Sequence, residues 1–279
     1  MQTTEEVEKF VKEVEPLFTK YKHSKYRMLS TEDLAYKLNC NGIFEQWGIK
    51  NWEKTDINND GKTDLLFIIS SKNGDPYTFL IIDKGLKGFK NISLSKNSFE
   101  KCELFKPTQI GENVYLKSYI LKQKEIGLME YEEFVVNDTL TFKFDEIVEK
   151  QENPAKYKIK AIEYSTGCSD GCPVFSFKMK SDGTAYYNGK YYAEVHGART
   201  LKINQTKFKE MEKLLGYIRV KELNDKYNVP WFHAKTGFLR ITFSDNTQKT
   251  INDYGSIGTF GLSAVYTKIE DIVRNEIWN

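Results

Sequence analysis

The sequence predicts an α+β protein of two domains, each an antiparallel β-sheet packed with helices. Three observations carry this. The chain has 279 residues, about twice the ~150 of a typical domain. Helical periodicity is confined to a few short stretches, while β-rich runs alternate with turn residues between them. A polar stretch with one proline, EKQENPAKYK at residues 149–158, separates two such blocks. The expected domains are residues 1–150 and 157–279.

In the first block, Val7, Phe10, Val11, Val14, Leu17 and Phe18 recur at helical spacing, so an amphipathic helix is expected over residues 4–21. Ser30-Thr31-Glu32-Asp33 reads as a helix start, with Leu34, Ala35 and Leu38 as its apolar face. From residue 52 to 144 the runs LLFIIS, YTFLIID, NVYLKSYIL, YEEFVV and LTFKF read as a meander of strands. Val136-Asn137-Asp138-Thr139 has the composition of a hairpin turn within it.

The second block opens with the strand YKIKAIEY. Residues 175–179 alternate apolar and polar, Ser181-Asp182-Gly183 is a turn, and TAYYN is the return strand. A second hairpin runs over residues 237–243, turns at Ser244-Asp245-Asn246 and returns through residues 247–254. Asn204 or Thr206 caps a helix whose buried face is Phe208, Met211, Leu214, Leu215 and Ile218. A last helix starts near Leu262, with Val265, Ile269, Ile272, Val273 and Ile277 facing inward.

The charge balance is 41 − 39 = +2, which gives no support for nucleic acid or an anionic membrane as the main partner. The longest apolar run covers residues 65–69, far short of the ~18 residues that suggest a spanning helix, so no transmembrane segment is expected. Three histidines leave little material for a histidine-based metal site. The start, MQTTEEVEKFV, lacks the basic and apolar regions of a signal peptide.

One loop has the chemistry of a hard-cation site. DINNDGKTDLL places Asp56, Asn58 and Asp60 at alternate positions, then Gly61, then Asp64. Calcium needs six to eight oxygens, and side chains at loop positions 1, 3 and 5 converge because a glycine at position 6 permits a sharp turn. Lys62, at position 7, would contribute its carbonyl, and Asp64 stands at position 9. The Glu of an EF-hand at position 12 is missing, since Phe67 is there, and a strand follows instead of a helix. The loop resembles the DxNxDGxxD calcium loops that join strands in secreted adhesive and propeller-type repeats. The expected cofactor is structural calcium. The alternative is a plain Asn/Asp/Gly turn.

The second landmark is STGCSDGCPVFSFKM. Zinc sites usually bring two cysteine pairs or histidines at fixed spacing, and one pair stands here. A thioredoxin-type pair is two residues apart and starts a helix, whereas three residues separate Cys168 from Cys172 and Pro173 leads into a strand. A glycine-containing turn can bring the two Cα atoms within bridging distance, so a local Cys168–Cys172 disulfide is expected. Unpaired thiols and a catalytic thiol–disulfide pair stay as alternatives. Cys40 and Cys102 read as buried apolar side chains.

Residues 158–279 resemble an uncharacterised bacterial domain family. The resemblance rests on Ile162, Cys168, Cys172-Pro173, Ser181-Asp182-Gly183-Thr184 and Tyr187-x-Gly189. It continues in the helix around residues 208–215, Tyr227, the hairpin at residues 238–243 and a terminal helix closing in Trp278. The position of Gly171 and the presence of Phe175 depart from the family pattern. The resemblance implies a cell-envelope setting and assigns no chemistry. An export signal upstream of this sequence is therefore expected, with a cytoplasmic protein as the alternative.

No GxSxG, HExxH, P-loop or GxGxxG motif is present. Gly255-Ser256-Ile257-Gly258-Thr259-Phe260-Gly261 could place an anion on a helix N-terminus, but a plain loop is expected. His196 and His233 read as ordinary surface residues. Tyr186, Tyr187, Tyr191 and Tyr192 surround one hairpin, where rings either pair across strands or stand exposed for a protein or glycan partner. The sequence thus reads as a monomeric, calcium-stabilised binding or structural protein of the envelope, with no catalytic residue named. The alternative is an enzyme, either a thiol–disulfide oxidoreductase using Cys168 and Cys172 or a hydrolase without a recognisable motif.

Overall fold

The chain divides after Glu146, with Met1–Glu146 forming one unit and Ile147–Asn279 a second. The computed structural model describes residues 1–15, 18, 26–38, 40–71, 75–96, 102–127, 130–168 and 171–276, with the backbone alone at 124 and 125. The class is α+β, and the sheets are overwhelmingly antiparallel. Among the described residues no helix is long and apolar enough to cross a membrane.

In the first unit, Thr3 caps α1 (Thr4–Val14) by accepting the Glu6 N–H, and Val7 and Val11 are its buried face. The helix expected over 4–21 is thus described only to Val14. Leu17 lies outside the described residues, and Phe18 is buried in the same cluster as Val7 and Val11. Ser30 caps α2 (Thr31–Lys37), its hydroxyl accepting the Asp33 N–H at 3.1 Å. A single turn, α3 (Ile43–Gln46), follows.

The first sheet has the order β1 (Trp52–Thr55), β2 (Asp64–Ser70), β3 (Pro76–Asp83), β4 (Phe89–Ser93). Every residue of β2 is buried, which explains why LLFIIS is continuously apolar rather than alternating. Leu65, Phe67 and Ile69 pack with Val7 and Val11, while Ile68 packs with Leu34, Phe44, Leu104 and Tyr119 in a second cluster.

The second sheet runs β5 (Glu103–Ile110), β6 (Asn113–Gly127), β7 (Glu130–Lys143), β8 (Glu146–Glu149). Two expectations are corrected here. Val136-Asn137-Asp138-Thr139 is not a turn, because it lies inside β7, paired with Ile120, Tyr119, Ser118 and Lys117. The buried Ser118 hydroxyl accepts the Asp138 N–H at 3.2 Å, so a turn-forming residue is held extended by a cross-strand bond. The reversal comes at Phe144 and Asp145, with φ of 57° and 64°. Cys40 and Cys102, read as unpaired apolar side chains, are bonded to each other with Cα atoms 5.3 Å apart. Both are buried in the cluster that holds α2 against the sheets.

The second unit is one seven-stranded sheet. Its strands are β9 (Ile159–Gly167), β10 (Phe175–Lys180), β11 (Thr184–Gly189), β12 (Gly197–Lys202), β13 (Lys226–Tyr227), β14 (Thr236–Phe243) and β15 (Gln248–Tyr254), in the order β12-β11-β10-β9-β14-β15-β13. Both expected hairpins are present, and β9 joins them by pairing with β10 on one side and β14 on the other. Among the described strands only β13 runs parallel to its neighbour.

Burial alternates strictly along β14, with Leu239, Ile241 and Phe243 facing inward. Asn204 caps α4 (Gln205–Tyr217), its side chain accepting the Thr206 N–H at 2.9 Å. The last helix, α5 (Phe260–Asn275), starts two residues before Leu262 because Thr259 caps it, accepting the Leu262 N–H at 3.1 Å. Ile277 and Trp278 lie outside the described residues.

Candidate functional site

Strand register brings the sequence landmarks of the second unit to one end of its sheet. The last residue of β9, Gly167, faces Thr236 at the start of β14, and Thr236 also faces Tyr254 at the end of β15. Gly189, the last residue of β11, faces both Phe175 at the start of β10 and Gly197 at the start of β12. The cysteine turn, the 190–196 loop, the 228–235 loop and the glycine-rich segment after β15 therefore all emerge there. Three strand spacings separate β11 from β14, about 14 Å.

The 190–196 loop is clamped from below. Lys190 donates its N–H to the Val174 carbonyl and Val174 donates to the Tyr191 carbonyl, both at 2.8 Å. Thr166 ties the same segment to β9. Its hydroxyl donates to the Pro173 carbonyl at 2.6 Å and accepts the Phe175 N–H at 3.2 Å. The Tyr187 hydroxyl donates to the Val195 carbonyl at 3.1 Å. Burial, and secondarily Glu194, push the Tyr187 phenol up, so it stays a donor. Only glycine fits at position 189, where a Cβ would lie 1.9 Å from the Val195 oxygen. The expected Cys168–Cys172 bridge is present, with Cα atoms 5.9 Å apart, and closes the turn that leads into Pro173 and Val174.

The four hairpin tyrosines separate by position. Tyr187 is buried and Tyr186 faces outward beneath the Lys180 ammonium, as strand alternation requires. Tyr191 and Tyr192 lie beyond the strand and are 72% and 64% exposed. Tyr192 has φ of 56°, a left-handed conformation that is strained for a bulky residue. With Lys190 and His196 these two rings line an open depression of about 490 Å³. Phe232, on the 228–235 loop, is 87% exposed at the same end of the sheet.

The glycine-rich segment is occupied by the chain's own carboxylates. Asp253, fully buried, accepts the Ile257 N–H at 3.0 Å and the Gly258 N–H at 3.2 Å. Glu149 accepts the Phe260 N–H and, at 2.8 Å, the Gly261 N–H. The first-turn donors of α5 thus already hold an anion from the chain itself. Beneath them Tyr164 and Tyr266 stack at 4.9 Å, and burial pushes both phenols well above their ordinary range.

In the first unit, the 56–64 loop folds as its residue types suggest. Asp56 accepts the N–H groups of Asp60 (3.0 Å) and Gly61 (2.8 Å), Asn58 accepts that of Asp60 (3.2 Å), and Asp60 accepts that of Lys62 (2.9 Å). Gly61, at φ 81°, makes the turn. These three side chains are the oxygen donors that a hard cation uses. Asp64 fits less well. It is buried, and its two oxygens accept the Ile57 and Asp83 N–H groups at 2.9 Å each, while burial pushes its carboxyl up. The Lys62 ammonium stands 2.7 Å from Asp60, which holds the Asp60 carboxyl low and the ammonium high. Among the described residues no group of three or more His, Cys, Asp or Glu side chains gathers as a ligand set.

An antiparallel sheet bearing two helices, with a stapled turn and an aromatic loop at one end, makes the second unit a compact α+β module. Residues 160–273 match the model of a family described as Domain of unknown function (DUF6438). The expected resemblance of the C-terminal ~120 residues to an uncharacterised domain family is met. No curated protein and no solved structure matches the chain. In the sequence, Val174, Phe232 and Glu149 have no role that a motif or spacing names, and Gly189 stands out only within the family resemblance. A glycine closing a β-rich run and a glutamate in an apparent linker were the available signals.

Proposed function

We propose that this is an exported cell-envelope protein that binds a partner without transforming it. The carrying observation is the 190–196 loop, where two exposed tyrosines, one on a strained backbone, are held by a clamped and disulfide-closed scaffold. Rigid aromatic side chains lose little entropy on binding, and strain kept in place by surrounding structure is characteristic of ligand sites. Export is supported by the pairing of all four cysteines, since such bridges persist in oxidising compartments. An oxidoreductase role for Cys168 and Cys172 has less support, because the turn leads into a strand and, among the described residues, no helix starts there to lower a thiol pKa.

Calcium belongs to this reading as a stabiliser of the first unit. Asp56, Asn58, Asp60 and the Lys62 carbonyl would hold it, with Asp64 shaping the loop from behind. Bound there, the ion would neutralise the loop carboxylates and fix the turn between β1 and β2.

The binding reading is tested by retention on isolated envelope fractions. The Tyr191→Ala, Tyr192→Ala double variant, checked for unchanged melting, should lose retention that the wild type shows. Equal retention of the two proteins overturns the proposal.

A further inference from the structure

We infer that the aromatic end of the seven-stranded sheet takes an acidic polysaccharide, a chain of sugar rings bearing carboxylates. This deepens the binding reading above and rests on it.

The rings of Tyr191 and Tyr192 have no stacking or hydrogen-bond partner among the described residues, and most of each is open to solvent. Each offers a flat apolar face with a hydroxyl at its tip. A pyranose ring has the complementary form, a C–H face with hydroxyls at its rim. The depression is open rather than enclosed, which suits a ring lying flat rather than a side chain inserted into a pocket.

The charged residue in its lining is a cation, Lys190, which borders the tyrosines beside His196, and Arg199 follows on β12. Glu194, exposed in the same loop, is not among the residues lining the depression. A carboxylate on the sugar would therefore meet Lys190 rather than an acidic group.

Phe232 supplies a second exposed aromatic face on the loop that enters β14, and β14 lies three strand spacings, about 14 Å, from β11. A short polymer, rather than a single sugar ring, matches the spacing of the strands that carry these two loops. A peptide is the less favoured occupant. It would add most readily as a strand along the free edge of β12, where Arg199 and Lys202 are of the charged type that discourages edge pairing.

The experiment is calorimetric titration of the whole protein with oligogalacturonate, neutral dextran oligosaccharide and polyglutamate, each variant being first checked by melting. Oligogalacturonate is expected to bind. The affinity should fall at least tenfold in the Tyr191→Ala, Tyr192→Ala double variant and several-fold in Lys190→Gln. Phe232→Ala should weaken long oligomers and leave the shortest binders unchanged. Dextran binding as tightly as oligogalacturonate, with the same tyrosine dependence, overturns the acidic class and leaves the binding reading intact. Polyglutamate binding through the tyrosines, with no saccharide bound, overturns the glycan in favour of a polypeptide. Oligogalacturonate affinity that ignores the tyrosines, or no binding of any probe, overturns the inference. Retention on envelope fractions then decides separately whether the broader reading survives.

Discussion

Cys40 and Cys102 lie 62 residues apart in sequence, yet their Cα atoms are 5.3 Å apart and their sulfurs are bonded. A bridge over a loop this long restricts the unfolded chain strongly. The chain-entropy relation gives about 4 kcal/mol, against about 2 kcal/mol for the four-residue span of Cys168–Cys172. The Cys40→Ser, Cys102→Ser variant should therefore unfold at markedly lower denaturant than the Cys168→Ser, Cys172→Ser variant. Urea titration of both compares them directly. Equal losses would mean that the long bridge acts on a denatured state already compact in this region.

Gly189→Ala places a methyl group where the Val195 carbonyl lies 1.9 Å away, so the 190–196 loop must move. We expect a loss of at least about 2 kcal/mol, as for other steric insertions into packed sites. Gly111→Ala is the control. It meets nothing within 4 Å but has φ of 62°, so its cost is conformational only, about 1 kcal/mol. Comparable denaturation midpoints for the two variants would contradict the clamp.

The carboxyl of Asp182, in the β10–β11 turn, is lowered to about 2 by the Thr184 N–H, the Thr184 hydroxyl and Lys202. A depressed acid contributes stability that is present above its unfolded pKa, near 3.8, and is lost as pH falls toward 2. Carboxyl-carbon NMR should show Asp182 titrating near pH 2. In Thr184→Ala the midpoint should move back toward 3.8, because the hydroxyl contribution is gone.

Calcium should raise the melting temperature of the first unit. At ~10 µM affinity, 1 mM calcium adds about 2.7 kcal/mol, and magnesium should add less because it demands tighter octahedral geometry. Asp60→Ala should abolish the response. Lys62→Gln should strengthen it, because the ammonium that competes for the Asp60 carboxylate is removed. An unchanged melt in calcium would remove the ion from the account of this loop.

Glu149→Ala should lower the stability of the second unit by about 1–2 kcal/mol, the usual loss for a helix-terminal acceptor. Two first-turn N–H groups of α5 lose their partner. Inorganic phosphate should restore part of that loss in the variant and do nothing for the wild type. Thermal melts with and without phosphate read this out.

Much of the fold was legible because local rules carried it. Alternation wrote β10, β11, β14 and β15 into the sequence, and cap chemistry marked Ser30 and Asn204. What failed depended on distant partners. The 136–139 stretch has turn residues, but pairing with residues 117–120 overrides them. Strand β12 (GARTLK) has a single large apolar residue and so no apolar alternation to read, and β13 is two residues long. Cys40 and Cys102 are ordinary buried positions until α2 and β5 are known to meet. Within the candidate site, the cysteine turn could be anticipated from its glycines and proline. The exposure of Tyr191 and Tyr192 could not, because alternation stops at Gly189.

The pairing of β9 with β14 has a kinetic meaning. Each hairpin, β10–β11 and β14–β15, closes over a few residues and can form within microseconds. Joining them requires Gly167 to meet Thr236 across almost seventy residues of chain. Neither disulfide shortens that search, since one lies in the first unit and the other spans a single turn. Assembly of the second unit is then timed by this one encounter. Until the sheet is joined and α4 and α5 can pack on it, the inward faces of both hairpins, among them Phe177, Leu239 and Ile241, stay uncovered and open to association with other chains.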